Sequence, residues 1–304
     1  MRNRLLLGLA ALALGTALWG TSPAPAQPLE EKVSRGEQIV FVRDYQPWLM
    51  NPDGNEQRKI LLPPDLQDKK CFRPRLSPDR EWIVLNCEER KDKESRDLYK
   101  IQVDGTKLRN LTPDNPQGKD DYADISPDGE WIVYSSERNG QRDLWLMDAY
   151  GRQKRQLTND PTFDITPAFS PDGKKIAYAS GDFKTLNLWV MDLETGKREQ
   201  LTETATRDWF PSWHPNGREI AYQRDDWKQR NSNLALLLLK EKRVIPLTQS
   251  GRGENSEMPS YSPNGRNIVF AKGRFGSNYD LVILASEEMN VFETAKKELH
   301  PHWR

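Results

Sequence analysis

The chain has 304 residues, 30% of them charged, with Lys plus Arg equal to Asp plus Glu at 45 each. Its mean hydropathy of −0.83 describes a very polar surface, and the lack of net positive charge argues against nucleic acid, whose phosphates call for a basic stripe. The apolar run Leu5–Leu18 is too short to read as a bilayer span, so an integral membrane protein is not expected.

In chain order, residues 1–26 read as a signal peptide. Arg2 and Arg4 precede the apolar run, and Ala24-Pro25-Ala26 is an A-x-A cleavage site. Export to the periplasm or beyond follows, and removal of the segment leaves two more acids than bases. Residues 27–36 form a short polar leader, and residues 37–304 carry one continuous repeat pattern.

The repeat is clearest from Pro167 to Thr202, with short β-type runs at Pro167–Phe169, Lys175–Ala179, Leu188–Asp192 and Arg198–Thr202. The first two flank Ser170-Pro171-Asp172-Gly173, a tight turn in which Pro presets φ, Ser and Asp bond nearby backbone, and Gly accepts a left-handed conformation. Related turns begin at Ser77, Ser126, His214 and Ser262, so that successive turns lie 49, 44, 44 and 48 residues apart. Four strands at this period predict an all-β fold, a β-propeller with four antiparallel strands per blade. Leu111-Thr112, Leu157-Thr158, Leu201-Thr202 and Leu247-Thr248 end the outer strands. Trp82, Trp131, Trp145 and Trp189 are expected to fill the space between blades. At Arg80, in the Gly position of its turn, a left-handed backbone would cost about 1 kcal/mol.

The first unit is incomplete. Gln38–Val42, Trp48–Gly54 and Lys59–Leu62 match second, third and fourth strands, and His300-Pro301-His302-Trp303 supplies the missing first strand. Five complete units plus this shared one predict six blades, closed by the C-terminal strand pairing with three N-terminal strands.

The Ser-Pro-Asp-Gly turns, the strands Leu144–Asp148 and Leu188–Asp192, and the Leu-Thr ends resemble the TolB-type propeller repeat, also called PD40 or WD40-like. The resemblance spans about Gln38 to Arg304. It implies a fold shared by the periplasmic Tol–Pal component, by propellers attached to peptidases and by some polysaccharide lyases. The Tol–Pal protein carries a separate domain before its propeller, and about ten residues between the cleavage site and the first strand leave no room for one here.

The segments that lead into the inner strands place Asp120, Asp164, Asp208 and Glu298 at equivalent positions, with Asp121 and Glu257 beside the ring. At a channel mouth such a collar would attract a basic peptide tail, an amine or a cation such as Ca²⁺. The alternative is that each Asp caps its own turn. No cofactor is otherwise expected. Cys71 and Cys87 flank the Ser77–Arg80 turn and would face each other in a regular hairpin, giving a disulfide in an oxidising compartment. A one-residue bulge would spoil that register and leave two thiols. His300 and His302 straddle Pro301 and would share a strand face, but nothing else supports a metal site. The chain shows no nucleophilic constellation. The expected function is that of an exported, monomeric, non-enzymatic propeller binding a protein or peptide of the cell envelope at one face of the channel. The alternatives are a polysaccharide lyase or hydrolase using channel carboxylates, and a scaffold held by a cation.

Overall fold

Each Ser-Pro-Asp-Gly turn is closed by its own side chains. Ser77 Oγ accepts the Trp82 amide at 3.1 Å and Asp79 Oδ1 accepts the Glu81 amide at 3.0 Å. Ser126 and Asp128 repeat this on Trp131 and Glu130, both at 2.9 Å. The fourth turn residue is left-handed, with φ between 68° and 77° at Gly129, Gly173, Gly217 and Gly265, and 63° at Arg80. These turns fix the start of each second strand.

The computed structural model describes residues 36–89, 95–116, 118–138, 140–274, 278–285, 289–292 and 298–304. The expected signal peptide, and the leader up to residue 35, lie outside them. The first strands are β1 (Ile39–Arg43), β2 (Gln46–Met50) and β3 (Arg58–Lys59). A short helix α1 (Pro64–Gln67) leads into β4 (Lys69–Leu76), β5 (Trp82–Glu89), β6 (Asp97–Gln102) and β7 (Arg109–Asn110). Next come β8 (Asp120–Ile125), β9 (Trp131–Ser136), β10 (Asp143–Asp148) and β11 (Arg155–Gln156), then β12 (Phe163–Phe169), β13 (Lys175–Asp182), β14 (Thr185–Asp192) and β15 (Arg198–Gln200). The chain continues through β16 (Arg207–Trp213), β17 (Glu219–Asp226), β18 (Asn231–Leu238) and β19 (Arg243–Pro246). It ends with β20 (Glu254–Tyr261), β21 (Asn267–Arg274), β22 (Tyr279–Ala285), β23 (Met289–Phe292) and β24 (Glu298–Trp303).

Hydrogen bonding corrects the expected count of six separate blades. Among the described residues there are four four-stranded sheets, β24-β1-β2-β3, β4–β7, β8–β11 and β12–β15, and one sheet of eight strands. Within the latter, β18 and β20 pair in parallel at Ser232↔Asn255. The cause is local: the Gly253 amide donates to the Arg230 carbonyl at 2.9 Å, drawing the start of β20 against the start of β18. Repeat spacing carries no trace of this contact. The closure by β24 is as expected, with Ile39 opposite Trp303 and Val40 opposite His302. Gln38 and Arg304 exchange backbone bonds at 2.6 and 2.9 Å.

The cores lie between successive sheets. Trp82 packs with Ile125, Ile132 and Tyr134 from the next sheet, and Trp131 and Trp189 pack against Val133, Ile176 and Tyr178. The Leu-Thr ends have a defined task. Thr112, Thr158, Thr202 and Thr248 each accept, through Oγ1, the amide of a third-strand leucine (Leu98, Leu144, Leu188 and Leu234) at 2.9–3.0 Å. Each bond ties the end of an outer strand back to its own sheet.

Candidate functional site

Six inner strands, β4, β8, β12, β16, β20 and β24, pack in sequence around the axis. All six carry one left-handed residue: Arg73 (φ 49°), Tyr122 (54°), Thr166 (52°), Phe210 (49°), Met258 (55°) and His300 (58°). Pairing with the neighbouring strand slips at each of these places, as between Phe72 and Arg75 or between Asp121 and Asp124. A bulge of this kind re-aims the side chains around it. Five of the six precede Pro, and Tyr122 precedes Ala123 instead.

The position two residues beyond each bulge forms a ring: Arg75, Asp124, Ala168, Ser212, Ser260 and His302, all lining an axial funnel of about 530 Å³. Neighbouring inner strands are linked through this ring. Asp124 accepts the Phe169 amide at 2.8 Å, Ser212 the Tyr261 amide at 3.1 Å, Ser260 the Trp303 amide at 3.1 Å and His302 the Leu76 amide at 3.0 Å. The Trp213 indole donates to the Ala168 carbonyl at 3.2 Å, and Arg75 pairs with Asp124 at 3.7 Å. The circuit is therefore complete, and the funnel wall is set by bonds between strands rather than within them. Its rim consists of the turn prolines Pro78, Pro127, Pro171, Pro215 and Pro263. Burial lowers the pKa of Arg75 and of Arg304, with Asp124 opposing in both cases.

The sequence-predicted collar lies elsewhere, at the opposite ends of the inner strands. Asp120, Asp164 and Asp208 are fully enclosed, at 0% exposure, and border neither the funnel nor the second cavity described below. Burial raises Asp120 to a pKa of about 6, opposed in part by Ser136, Arg138, Asn115 and Thr112. Burial likewise raises Asp164 to about 6, opposed in part by Ser180 and Thr158. The carboxylate oxygens of both lack a hydrogen-bond partner among the described residues. Asp208 is instead held by Arg224 through two bonds at 2.7 and 2.8 Å. Asp121 is the hub of an arginine cluster, with Arg73 at 3.0 Å, Arg142 at 4.0 Å and Arg96 in direct contact. Burial works to raise the Asp121 pKa, and Arg73, Arg96 and Arg142 more than offset it, leaving it lowered. Glu257 accepts a bond from the Tyr279 hydroxyl at 3.4 Å. Glu298 pairs in register with Arg43. Arg138 also lies 3.6 Å from Asp120, so the expected ring separates into four enclosed aspartates, of which Asp120, Asp121 and Asp208 have an arginine partner and Asp164 has none among the described residues, and Glu257 and Glu298 at strand positions.

Cys71 and Cys87 form a disulfide, with Cα atoms 4.1 Å apart. The reason is the reverse of the sequence expectation. On the turn side of the bulge Arg75 faces Val84 and Leu76 faces Ile83; carried on unbroken, that register would set Cys71 against Glu88. The bulge between Phe72 and Arg75 shifts the pairing so that Cys71 faces Cys87. The same device separates the histidines: His302 lines the funnel, whereas His300 lies on a cavity at the other end beside Phe72. No group of three or more His, Cys, Asp or Glu suited to a metal occurs among the described residues.

The funnel ring was missed in the sequence. Its signal is positional: five of the six stand two before the Ser or His of a turn, His302 alone has no turn after it, and the chemistry varies from Arg to Ala, so no motif marks the ring.

The TolB β-propeller domain model matches residues 65–230 and 142–291. No curated protein sequence matches the chain. Among solved structures, TolB from Acinetobacter baumannii is 22% identical with a TM-score of 0.70, over 88% of this chain and 66% of that one. Putative TolB from Agrobacterium tumefaciens is 19% identical with a TM-score of 0.66, over 88% and 97%. An oligogalacturonate lyase in complex with manganese is 15% identical with a TM-score of 0.56, over 84% and 73%. At these identities the structures share the fold alone. Among the described residues no helix is long and apolar enough to cross a membrane. The repeat turns, the strand quartets around an axis and the match over more than half its length place this chain in the TolB β-propeller (PD40) family.

Proposed function

We propose that the chain is an exported, non-enzymatic propeller that holds a protein or peptide partner in its axial funnel. The observation that supports this is the ring from Arg75 to His302. All six inner strands contribute to it, and bonds between strands fix its shape before any partner arrives. A concave, pre-formed surface loses little entropy on binding. Proline at five rim positions keeps the mouth rigid. The base offers charged and polar groups, Arg75, Asp124 and Arg304, while Phe169, Trp213 and Tyr261 line the wall. That combination suits a peptide segment with mixed side chains. Export follows from the pattern of residues 1–26. The proposal includes no cofactor. A cation at the collar has no open access, since Asp120, Asp164 and Asp208 are enclosed.

The test is capture from a cell-envelope extract by the wild-type protein and by Ala168→Arg, which fills the funnel from its wall. A protein retained by the first and released by the second is the expected result. Equal retention by both, or recovery of glycan alone, overturns the proposal.

A further inference from the structure

A second cavity, of about 710 Å³, opens off the axis near the joint between β18 and β20, at the end of the molecule opposite the funnel. Its floor is a closed polar network. Arg207 pairs with Asp225 Oδ2 through Nε at 2.9 Å and also through a terminal nitrogen. Gln223 and Ser232 donate to Asp225 Oδ1 at 2.8 and 2.7 Å. The Arg207 guanidinium lies 4.0 Å from the Trp209 ring centroid and 4.6 Å from that of Trp227. Arg207, Asp225, Gln223 and Ser232 are thus engaged with one another, so that part of the floor is stiff and electrically quiet.

The rim differs. Trp227 is 51% exposed, and Met258 lies on the wall. Asp226 is occupied in its own turn, accepting the Lys228 and Gln229 amides at 2.8 and 3.1 Å. Arg274 pairs with Glu254 at 2.8 Å. Arg230, in the β17–β18 hairpin, and Arg252, in the loop before β20, are exposed and have no ion pair among the described residues. The Trp209 indole N–H is buried without an acceptor. Glu257, which also lines the cavity, accepts the Tyr279 hydroxyl at 3.4 Å, and the rim beside the apolar shelf presents Arg230 and Arg252 on separate loops without an ion pair among the described residues.

We infer that this cavity docks an acidic peptide segment, with carboxylates meeting Arg230 and Arg252 and an apolar side chain resting on Trp227 and Met258. Charge complementarity selects an acidic occupant. The placement of the two cations on different loops suits carboxylates spaced along a chain better than one compact anion. A half-exposed indole beside arginines is a usual anchor for peptide recognition. The inference is independent of the funnel and would make the propeller a two-ended adaptor.

The experiment selects a random heptapeptide library on the wild-type protein and measures the selected peptides by fluorescence anisotropy. Binding is compared with the variant Arg230→Glu/Arg252→Glu and with Ala168→Arg. Both arginines are exposed, and circular dichroism checks that the double variant stays folded. The expected result is a set of Asp- and Glu-rich peptides carrying an apolar residue. Their affinity should fall by about tenfold or more in the double variant and stay unchanged in Ala168→Arg. A set that is not acidic, equal binding to the double variant, or loss of binding in Ala168→Arg overturns the inference. So does binding of an oligouronide in this cavity where no acidic peptide binds.

Discussion

Nδ1 of His302 accepts the backbone amide of Leu76 at 3.0 Å, joining the strand that closes the ring to the inner strand of the next sheet. This bond needs a neutral imidazole with its proton on Nε2. Burial lowers the His302 pKa well below its ordinary value, and Arg75 and Arg304 lower it further. His302→Ala leaves a buried amide unpaired and should cost about 1–3 kcal/mol in urea unfolding. Asn, which can accept at a similar reach, should recover part of the loss. A His302→Ala protein with unchanged unfolding midpoint would show that the ring bond is dispensable.

Asp120 and Asp164 make stability depend on pH in an unusual direction. Their folded pKa values of about 6 lie above the unfolded value. The folded state thus binds more protons between about pH 4 and 6, and stability falls as pH rises through that window. Asp164→Asn should raise stability at pH 7.5 by about 1–3 kcal/mol and flatten the pH profile. Guanidinium titrations at pH 7.5 and 5 decide it: a variant less stable than wild type at pH 7.5 contradicts the assignment.

Asp121 has the opposite sign. Its folded pKa is lowered, so its contribution is present above the unfolded pKa and lost as pH falls through the folded one. Asp121→Asn leaves Arg73, Arg96 and Arg142 facing one another with their shared anion gone. A loss of about 3–5 kcal/mol is expected, the usual cost of breaking a buried ion pair from one side. Thermal melting that shifts by less than a degree would mean that Glu88 and Glu137 compensate fully.

The Cys71–Cys87 crosslink closes a short loop, with a sequence separation of 16. Its removal in Cys71→Ala/Cys87→Ala should cost about 3 kcal/mol in the chain-entropy picture. Reduction of the wild-type protein should produce a comparable drop in unfolding midpoint, and no further drop in the double variant.

Much of this architecture was legible because turn chemistry is local. Ser77, Asp79 and their counterparts each close a turn with their own side chains, so their spacing reports the repeat directly. The match of His300–Trp303 to other first strands likewise foretold the pairing with β1. The eight-stranded sheet was not legible, because its joint is one short parallel contact, the Ser232–Asn255 pairing and the adjoining bond from Gly253 to Arg230, which no residue motif marks. The bulges were also hidden: Tyr122 adopts the same left-handed backbone before Ala123 as Arg73 does before Pro74. Since the bulge decides which inner-strand residues face the axis, spacing alone points to Asp120, Asp164 and Asp208, while the funnel is lined by Asp124, Ser212 and His302.

The residues at the bulges are Arg73, Tyr122, Thr166, Phe210, Met258 and His300, and glycine could hold that backbone in each case without steric penalty. None of the six is glycine. Four of them, Arg73, Tyr122, Thr166 and Phe210, converge on one narrow space, where Arg73 stacks on Tyr122 at 4.2 Å and Tyr122 meets Phe210 edge-on at 5.8 Å. Torsional comfort has been given up for bulk on the axis. Bulky side chains from four of the six inner strands thus meet at the level of the bulges, between the funnel residues and the enclosed aspartates of the same strands.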